Sequence, residues 1–119
     1  ISKKKNISDN NIHIICQEYV DGKILKNILE EIKSIESKLI LTILQKNIPK
    51  VEIYVLVTKG FHNIINAKQI VDKINEVFGS TGGGREDLAQ AGVEFDGDIS
   101  KLTVDIENEI NKLINIKGK

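Results

Sequence analysis

One stretch of the sequence, residues 78–92 (FGSTGGGREDLAQAG), has the composition of an anion-binding loop. Four of the nine glycines of the chain fall within six residues, at positions 79, 82, 83 and 84, and Arg85 follows directly. Because glycine lacks a Cβ, this backbone can adopt positive φ and approach another molecule closely. Free backbone N–H groups, a helical turn starting near Asp87 and a guanidinium would together suit a phosphate.

This glycine-rich segment differs from the familiar phosphate-binding motifs. No Lys-Ser or Lys-Thr pair follows the glycines, as a P-loop requires, and the segment follows a predicted helix instead of a strand. A glycine-rich loop without such a pattern is a weak signal. From the residues alone, a tight helix-to-helix turn packed on a sheet is an equally good interpretation.

The residues that most often perform catalysis form no recognisable constellation. The single cysteine, Cys16, cannot form an internal disulfide, and with only His13 and His62 it cannot make a structural zinc site. His13 lies among apolar residues of a predicted strand, where a structural role is the better interpretation. His62 falls in a predicted loop with no nucleophile near it in sequence. We therefore expect this chain to be no enzyme on its own and to hold no cofactor.

Hydrophobic periodicity predicts three strands and three helices around the glycine-rich segment. The strands cover residues 13–20, 39–45 and 51–58, and the helices begin after the N-caps Asp21, Asn66 and Asp98. The buried helix faces are predicted to carry Leu25, Ile28, Leu29, Ile32 and Ile35 in the first helix, Ala67, Ile70, Val71, Ile74, Val77 and Phe78 in the second, and Ile99, Leu102, Ile106, Ile110 and Leu113 in the third.

This order predicts an α/β fold, a small mixed β-sheet with packed helices in the order β-α-β-β-α-glycine-rich loop-α. The first two strands should be parallel and joined by a right-handed crossover. The second and third strands should form an antiparallel hairpin around Pro49, because their connection is short.

Length and composition fit a single domain. The chain has 119 residues, of which 40% are hydrophobic and 29% charged. We expect residues 12–119 to form one globular domain and residues 1–11 to be a flexible lead-in or the end of an upstream helical subdomain. Because the chain does not begin with Met, we also expect it to be a piece of a longer protein. With one thiol and no apolar run of about 20 residues, a cytoplasmic location without membrane contact is expected.

The formal net charge of zero is the sum of two unlike parts. Residues 1–75 hold 12 lysines against 8 acidic residues, whereas residues 76–119 hold 5 basic residues against 9 acidic ones. A net charge of zero argues against strong binding of nucleic acid by this chain alone, but it allows weak and salt-sensitive binding. Any such surface should involve the glycine-rich segment and residues 59–73, and not the acidic third helix.

The glycine-rich segment also resembles a specific family signature. Residues 82–92, GGGREDLAQAG, are similar to the motif GGGRPDMAQAGG of the C-terminal domain of alanyl-tRNA synthetases, a domain with the DHHA1 fold. The strand end Thr58-Lys59 and the helix start Asn66-Ala67-Lys68 are similar to further positions of that family. The sequence departs from the motif at Glu86 in place of Pro, Leu88 in place of Met and Val93 in place of the second terminal Gly.

The resemblance implies tRNA binding without aminoacyl chemistry. A domain of this family contacts tRNA(Ala) at the elbow of the L-shaped molecule and couples aminoacylation with editing, both performed by other domains of the parent synthetase. ATP, magnesium and zinc are implied only for those other domains. The residues assigned to tRNA by resemblance are Lys59, Lys68, Gly82, Gly83, Gly84, Arg85 and, with a structural tie to a strand as its alternative, Gln90.

Two other functions stay open. The same fold accompanies the catalytic domain of DHH-type phosphoesterases and nucleases as a substrate-binding domain, but there the motif resembles GGGH, and Arg85 favours the synthetase branch. The other alternative is a dimerisation module that pairs through a strand edge or the third helix. The predicted partners are therefore tRNA(Ala), the other domains of the parent and, in this last case, a second copy of the chain.

Overall fold

The computed structural model describes residues 3–8 and 12–117, which form a mixed sheet with helices on both faces. In chain order the elements are β1 (Lys3–Ser8), β2 (Ile12–Gln17), α1 (Gly22–Ile35), β3 (Ile40–Asn47), β4 (Lys50–Val57), a 3₁₀ turn (Lys59–Phe61), α2 (Ala67–Phe78), β5 (Thr81–Gly84), β6 (Leu88–Glu94) and α3 (Ile99–Lys117).

The sheet contains six strands within these described ranges, in the order β1-β2-β3-β4-β6-β5. Strands β2 and β3, which α1 connects, are parallel. Strands β3 and β4 form an antiparallel hairpin that turns at Ile48-Pro49, and all other neighbouring strands are antiparallel. The predicted fold class is confirmed.

The three predicted helix N-caps are confirmed by their hydrogen bonds. The Asp21 carboxylate accepts from the backbone N–H two residues later, at 2.9 Å. Asn66 and Gln69 form a reciprocal capping box at the start of α2. The Asp98 carboxylate likewise accepts from the backbone N–H two residues later, at 2.9 Å. Local side-chain chemistry therefore fixes where each helix begins.

The larger part of the core lies between the sheet and the helix pair α2 and α3. Successive strand residues point to opposite faces, so alternate residues of β4 and β6 contribute to this layer. The helices contribute the apolar stripes predicted for them, although Val77 is exposed. The members from β4, β6, α2 and α3 are Val51, Ile53, Val55, Val57, Ala89, Ala91, Val93, Ala67, Ile70, Val71, Ile74, Leu102, Ile106 and Ile110.

Helix α1 covers the opposite face of the sheet with a narrower stripe than predicted. Leu25 and Leu29 are buried there, against residues of β3 and β4. The predictions for Ile28 and Ile35 are wrong, because these side chains are 44% and 76% exposed. They lie roughly 100–120° around the helix from Leu29, at the edge of the buried face or beyond it.

Tyr54 of β4 also faces α1 and is 4% exposed. Its hydroxyl donates to Glu52 at 3.4 Å. Burial, followed by the negative charge of Glu52, raises the pKa of Tyr54 to about 12. A Cβ on Gly22 would lie 2.9 Å from the same hydroxyl, which explains a glycine at the start of α1.

Two further sequence-based predictions are wrong. Residues Lys3–Ser8 of the expected lead-in form strand β1, paired antiparallel with β2, while the other residues of 1–11 lie outside the described part of the chain.

The glycine-rich segment is not a loop with a helical turn near Asp87 but a β-hairpin made of β5 and β6. Residues 88–94 alternate between the two faces of the sheet, and this period of two outweighs the helix-start signal. Val93, a departure from the family motif, fits as a buried strand residue.

In the described ranges, no helix has the length and apolarity needed to cross a bilayer.

Candidate nucleic-acid interface

The three consecutive glycines form most of β5, the last strand of the sheet, and pair with β6 in the register Gly82–Ala91, Gly83–Gln90 and Gly84–Ala89. A Cβ on Gly82 would lie 2.1 Å from the Gln90 carbonyl oxygen. Gly84 has φ of 154°, and a Cβ there would lie 2.6 Å from the Cα of Ala89. A Cβ on Gly83 would meet nothing within 4 Å. The outer glycines are therefore required by strand packing, whereas the middle one leaves its surface open.

Asn75 of α2 holds the start of this hairpin. Its side-chain oxygen accepts from the Ser80 hydroxyl at 2.6 Å, and its Nδ2 donates to the Gly82 carbonyl at 3.1 Å. Gly79 ends α2 in the left-handed conformation, with φ of 72°, and its N–H donates to the Asn75 carbonyl. The helix end and the glycine strand are thus joined through one side chain.

The turn between β5 and β6 is fixed by backbone hydrogen bonds to two other elements. The carbonyl of Asp87 accepts from the N–H of Val57 at the end of β4, at 2.8 Å. The carbonyl of Glu86 accepts from the N–H of Ala67 at the start of α2, also at 2.8 Å. The residues after β4, including Lys59, are consequently brought beside this turn.

Arg85 emerges from the turn and joins a four-residue ionic network with α1. Its Nη2 donates to Glu30 Oε2 at 2.6 Å, and its Nε donates to Asp87 Oδ1 at 3.1 Å. Lys33 contacts the same two acids, with Nζ at 2.9 Å from Glu30 Oε1 and 2.7 Å from Asp87 Oδ2. Each cation therefore contacts both carboxylates, and the network anchors the turn to α1.

The network keeps all four groups charged. Hydrogen bonds from Lys33 and then Arg85 lower the pKa of Glu30. Burial alone would raise the pKa of Asp87, but the hydrogen bonds and charges of Lys33 and Arg85 outweigh it and lower that pKa. Hydrogen bonding to Asp87 and Glu30 raises the pKa of Lys33, and hydrogen bonding to Glu30 raises that of Arg85.

Two clefts lie beside Arg85, and this residue lines both of them. The first, of about 890 Å³, lies between the end of α1, the 3₁₀ turn and the hairpin turn, and Lys59 and His62 line it. The second, of about 390 Å³, lies between α1 and the hairpin, and Lys26 and Gln90 line it. Neither Lys26 nor Lys59 has an ion-pair partner in the part of the chain that the structure describes. A row of cationic groups, Lys26, Arg85 and Lys59, thus crosses this surface next to the open backbone of Gly83.

The structure brings together most of the residues that the sequence proposed for tRNA. The three glycines, Arg85 and Gln90 are on the hairpin, and Lys59 faces Arg85 across the first cleft. The Gln90 side chain forms no hydrogen bond with any described residue, so the alternative of a tie to a strand is not what this structure has. Lys68 lies on α2, pairs with Asp72 at 3.4 Å and lines neither cleft.

Sequence reasoning missed the contribution of α1 to this surface. Lys26, Glu30 and Lys33 are ordinary polar positions of an amphipathic helix, and nothing in their spacing distinguishes them. Their contact with the hairpin joins residues 55 and 54 positions apart in the chain. Such a contact depends on how the helix is placed on the sheet. The described residues also include no group of three or more His, Cys, Asp or Glu that could hold a metal ion.

Comparison with known proteins gives consistent matches. A family model described as DHHA1 domain matches residues 9–112. The alanine–tRNA ligase of Francisella philomiragia is 32% identical over 115 residues, which are 97% of this chain and 13% of that protein. The alanine–tRNA ligase of Mycoplasmoides gallisepticum is 40% identical over 55 residues, 46% of this chain and 6% of that protein. This chain thus spans only a small fraction of the length of these relatives.

The fold is also similar to a solved structure. The crystal structure of the C-Ala domain from Aquifex aeolicus alanyl-tRNA synthetase aligns with a TM-score of 0.73 at 24% sequence identity. The alignment covers 89% of this chain and 96% of the other. At this identity the likeness establishes a shared fold.

Proposed function

Because this chain belongs to the DHHA1 domain family, we propose that it is the C-terminal tRNA-binding domain of an alanine–tRNA ligase. In this proposal the domain contacts the elbow of tRNA(Ala) and helps the other domains of the parent to coordinate aminoacylation and editing. The observation that carries the proposal is the match of 97% of the chain to an alanine–tRNA ligase at 32% identity. The matching stretch includes the glycine-rich hairpin and Arg85.

The surface around the hairpin has the chemistry that an RNA contact needs. Lys26 and Lys59 can each neutralise a phosphate without first breaking an ion pair with a described residue. Gly83 presents backbone with no side chain, which allows a ribose or a base to approach closely. The proposed interface is therefore Lys26, Lys59, Gly83, Arg85 and Gln90, with Gly82 and Gly84 shaping the strand. Lys68 becomes a weaker candidate because it pairs with Asp72.

The small number of cations predicts weak binding. Three cationic side chains give a salt dependence of log K of roughly −2 to −3 per decade of salt, from about −0.7 to −0.9 per neutralised phosphate. Binding by the isolated chain should therefore be measurable at low salt and nearly lost at physiological salt. In the parent, other domains would hold the same tRNA and raise the local concentration of the elbow.

The test compares two RNAs and matched variants in a low-salt titration. An unmodified tRNA(Ala) transcript contains the elbow, whereas a minihelix of the acceptor and T stems lacks it. We expect the full transcript to bind more tightly, and Arg85→Gln and Lys59→Gln each to weaken that binding about threefold to tenfold. Lys101→Gln removes the same charge from an exposed position on α3 and should change the affinity less than twofold.

Two results would contradict the proposal. Equal affinity for the transcript and the minihelix would contradict the proposed contact with the elbow. An equal effect of Lys59→Gln and Lys101→Gln would mean that only net charge matters. Sedimentation of the free chain at the same concentrations would reveal self-association, the outcome that a dimerisation module predicts.

A further inference from the structure

The guanidinium proposed to contact RNA is already occupied in this structure. Arg85, the only arginine of the chain, donates to Glu30 at 2.6 Å and to Asp87 at 3.1 Å. These contacts use two of the five guanidinium N–H groups, and both carboxylates oppose a phosphate that approaches the other three, so a phosphate binds Arg85 most strongly when one carboxylate has moved away. Which carboxylate leaves, and what happens to it, depends on the geometry of the network.

Glu30 is the carboxylate that can be replaced more easily. It reaches Arg85 from a different element, α1, and its side chain is 41% exposed. Asp87 is only two residues from Arg85 on the same turn, its side chain is 26% exposed, and its backbone carbonyl is fixed by Val57. Either contact breaks by a side-chain rotation, but Asp87 stays close to Arg85 because it lies two residues away on the same turn, whereas Glu30 lies on a separate element.

Lys33 is placed to keep Glu30 neutralised after such a rotation. Its Nζ already lies 2.9 Å from Glu30 Oε1 and 2.7 Å from Asp87 Oδ2. When Arg85 turns outward, neither carboxylate loses its last cationic partner. The exchange therefore avoids the cost of an unpaired, partly buried charge.

We propose that Glu30 competes with RNA phosphate for Arg85, and that Lys33 remains as the ion-pair partner of Glu30 when phosphate binds. This inference rests on the proposed function, because it concerns the same surface. Without RNA, Glu30 anchors the hairpin turn to α1 and lowers the affinity of Arg85 for single anions. With a polyanion that also engages Lys26 and Lys59, the combined attraction displaces Glu30. The pair Glu30 and Lys33 thus makes Arg85 bind a nucleic-acid backbone, which offers several phosphates, in preference to an isolated anion.

The experiment compares Glu30→Gln with Glu31→Gln in titrations with the unmodified tRNA(Ala) transcript. Both changes remove one negative charge from α1, but Glu31 is exposed and has no contact with Arg85. An exposed ion pair contributes little, and its loss changes affinity by at most roughly fivefold. We expect Glu30→Gln to tighten binding about threefold to fivefold relative to Glu31→Gln. The difference in affinity should disappear when each of the two changes is made separately in an Arg85→Gln background.

Glu30→Asp provides a variant that keeps the net charge. It shortens the side chain by one methylene and should weaken the contact with Arg85, so it should also tighten binding relative to the unchanged chain. Thermal unfolding of each variant checks that the fold is kept.

Several outcomes would overturn the inference. These are equal affinities of Glu30→Gln and Glu31→Gln, weaker binding by Glu30→Gln than by the unchanged chain, or a difference that persists without Arg85. If Arg85→Gln binds the transcript as tightly as the unchanged chain, the Arg85 contact in the proposed function fails, and the competition falls with it. The first three outcomes leave that contact intact, so the two failures are distinguishable.

Discussion

Replacing Gly82 with alanine should destabilise the hairpin that carries the proposed interface. The new Cβ would lie 2.1 Å from the Gln90 carbonyl oxygen and 2.5 Å from the Ala91 Cα, where ordinary contacts begin at about 3.4 Å. Both neighbours are backbone atoms, which cannot rotate away, so β5 must separate from β6 by about 1 Å or more. Overpacking of this kind costs roughly 1–3 kcal/mol, and the rigid neighbours favour the upper value.

The magnitude can be converted into a change in Tm. An unfolding entropy of about 2.1 cal/mol/K per residue gives about 0.25 kcal/mol/K for this chain. A loss of about 3 kcal/mol therefore lowers Tm by about 12 °C. Differential scanning calorimetry, or circular dichroism at 222 nm during heating, measures this shift directly.

Gly83→Ala is the matched control, because it adds the same methyl group one residue later. Its Cβ meets nothing within 4 Å, so the fold should be unchanged or stabilised by up to about 1 kcal/mol through the unfolded chain. If RNA lies against Gly83, this variant should still bind the tRNA(Ala) transcript more weakly. Equal Tm values for Gly82→Ala and Gly83→Ala would refute the packing argument.

Three further predictions concern single side chains. Because the pKa of Tyr54 is raised to about 12 and an unfolded tyrosine titrates near 10, the stability that this group contributes is complete below about pH 10 and falls by roughly 2–3 kcal/mol toward pH 12. Alkaline denaturation of Tyr19→Phe checks this, and Tyr54→Phe should lose this part of the dependence and keep the part that comes from the raised pKa of Lys33. Asn75→Ala removes two hydrogen bonds from the hairpin and should cost about 1–2 kcal/mol, with faster amide exchange in β5 as the local readout. The lowered pKa of Asp87 means that its ion pairs stabilise the fold above about pH 4 and are lost as pH falls further, so Asp87→Asn should flatten the acid side of the stability curve, and an unchanged acid limb would contradict this.

Sequence reasoning succeeded where the signal was local. The caps Asp21, Asn66 and Asp98, the turn at Pro49 and the parallel crossover all follow from a few neighbouring residues. The same reasoning failed for Lys3–Ser8, whose polar composition is unusual for a strand and which gains its pairing from β2. Strand formation there depends on a neighbour and not on intrinsic propensity.

The candidate site was predictable in part for the same reason. The motif residues are contiguous, so the glycine-rich segment and Arg85 were recognised from the chain itself, although as a loop and not as a β-hairpin. The partners Glu30 and Lys33 lie more than 50 positions away and contact Arg85 and Asp87 only because α1 crosses the sheet at that point. One sequence carries no local sign of such a contact, and the ionic network therefore emerged only from the structure.

The hydrogen bond from Asn75 to Gly82 also bears on how the molecule behaves in a crowded solution. A terminal strand normally offers unpaired carbonyl and N–H groups, onto which a strand of another molecule can add. Here that strand is four residues long, and the carbonyl of Gly82 already accepts from the Asn75 side chain. An incoming strand would have to displace this amide and would gain few hydrogen bonds in exchange. The bond that fixes the glycine hairpin thus also shields one border of the sheet against aggregation.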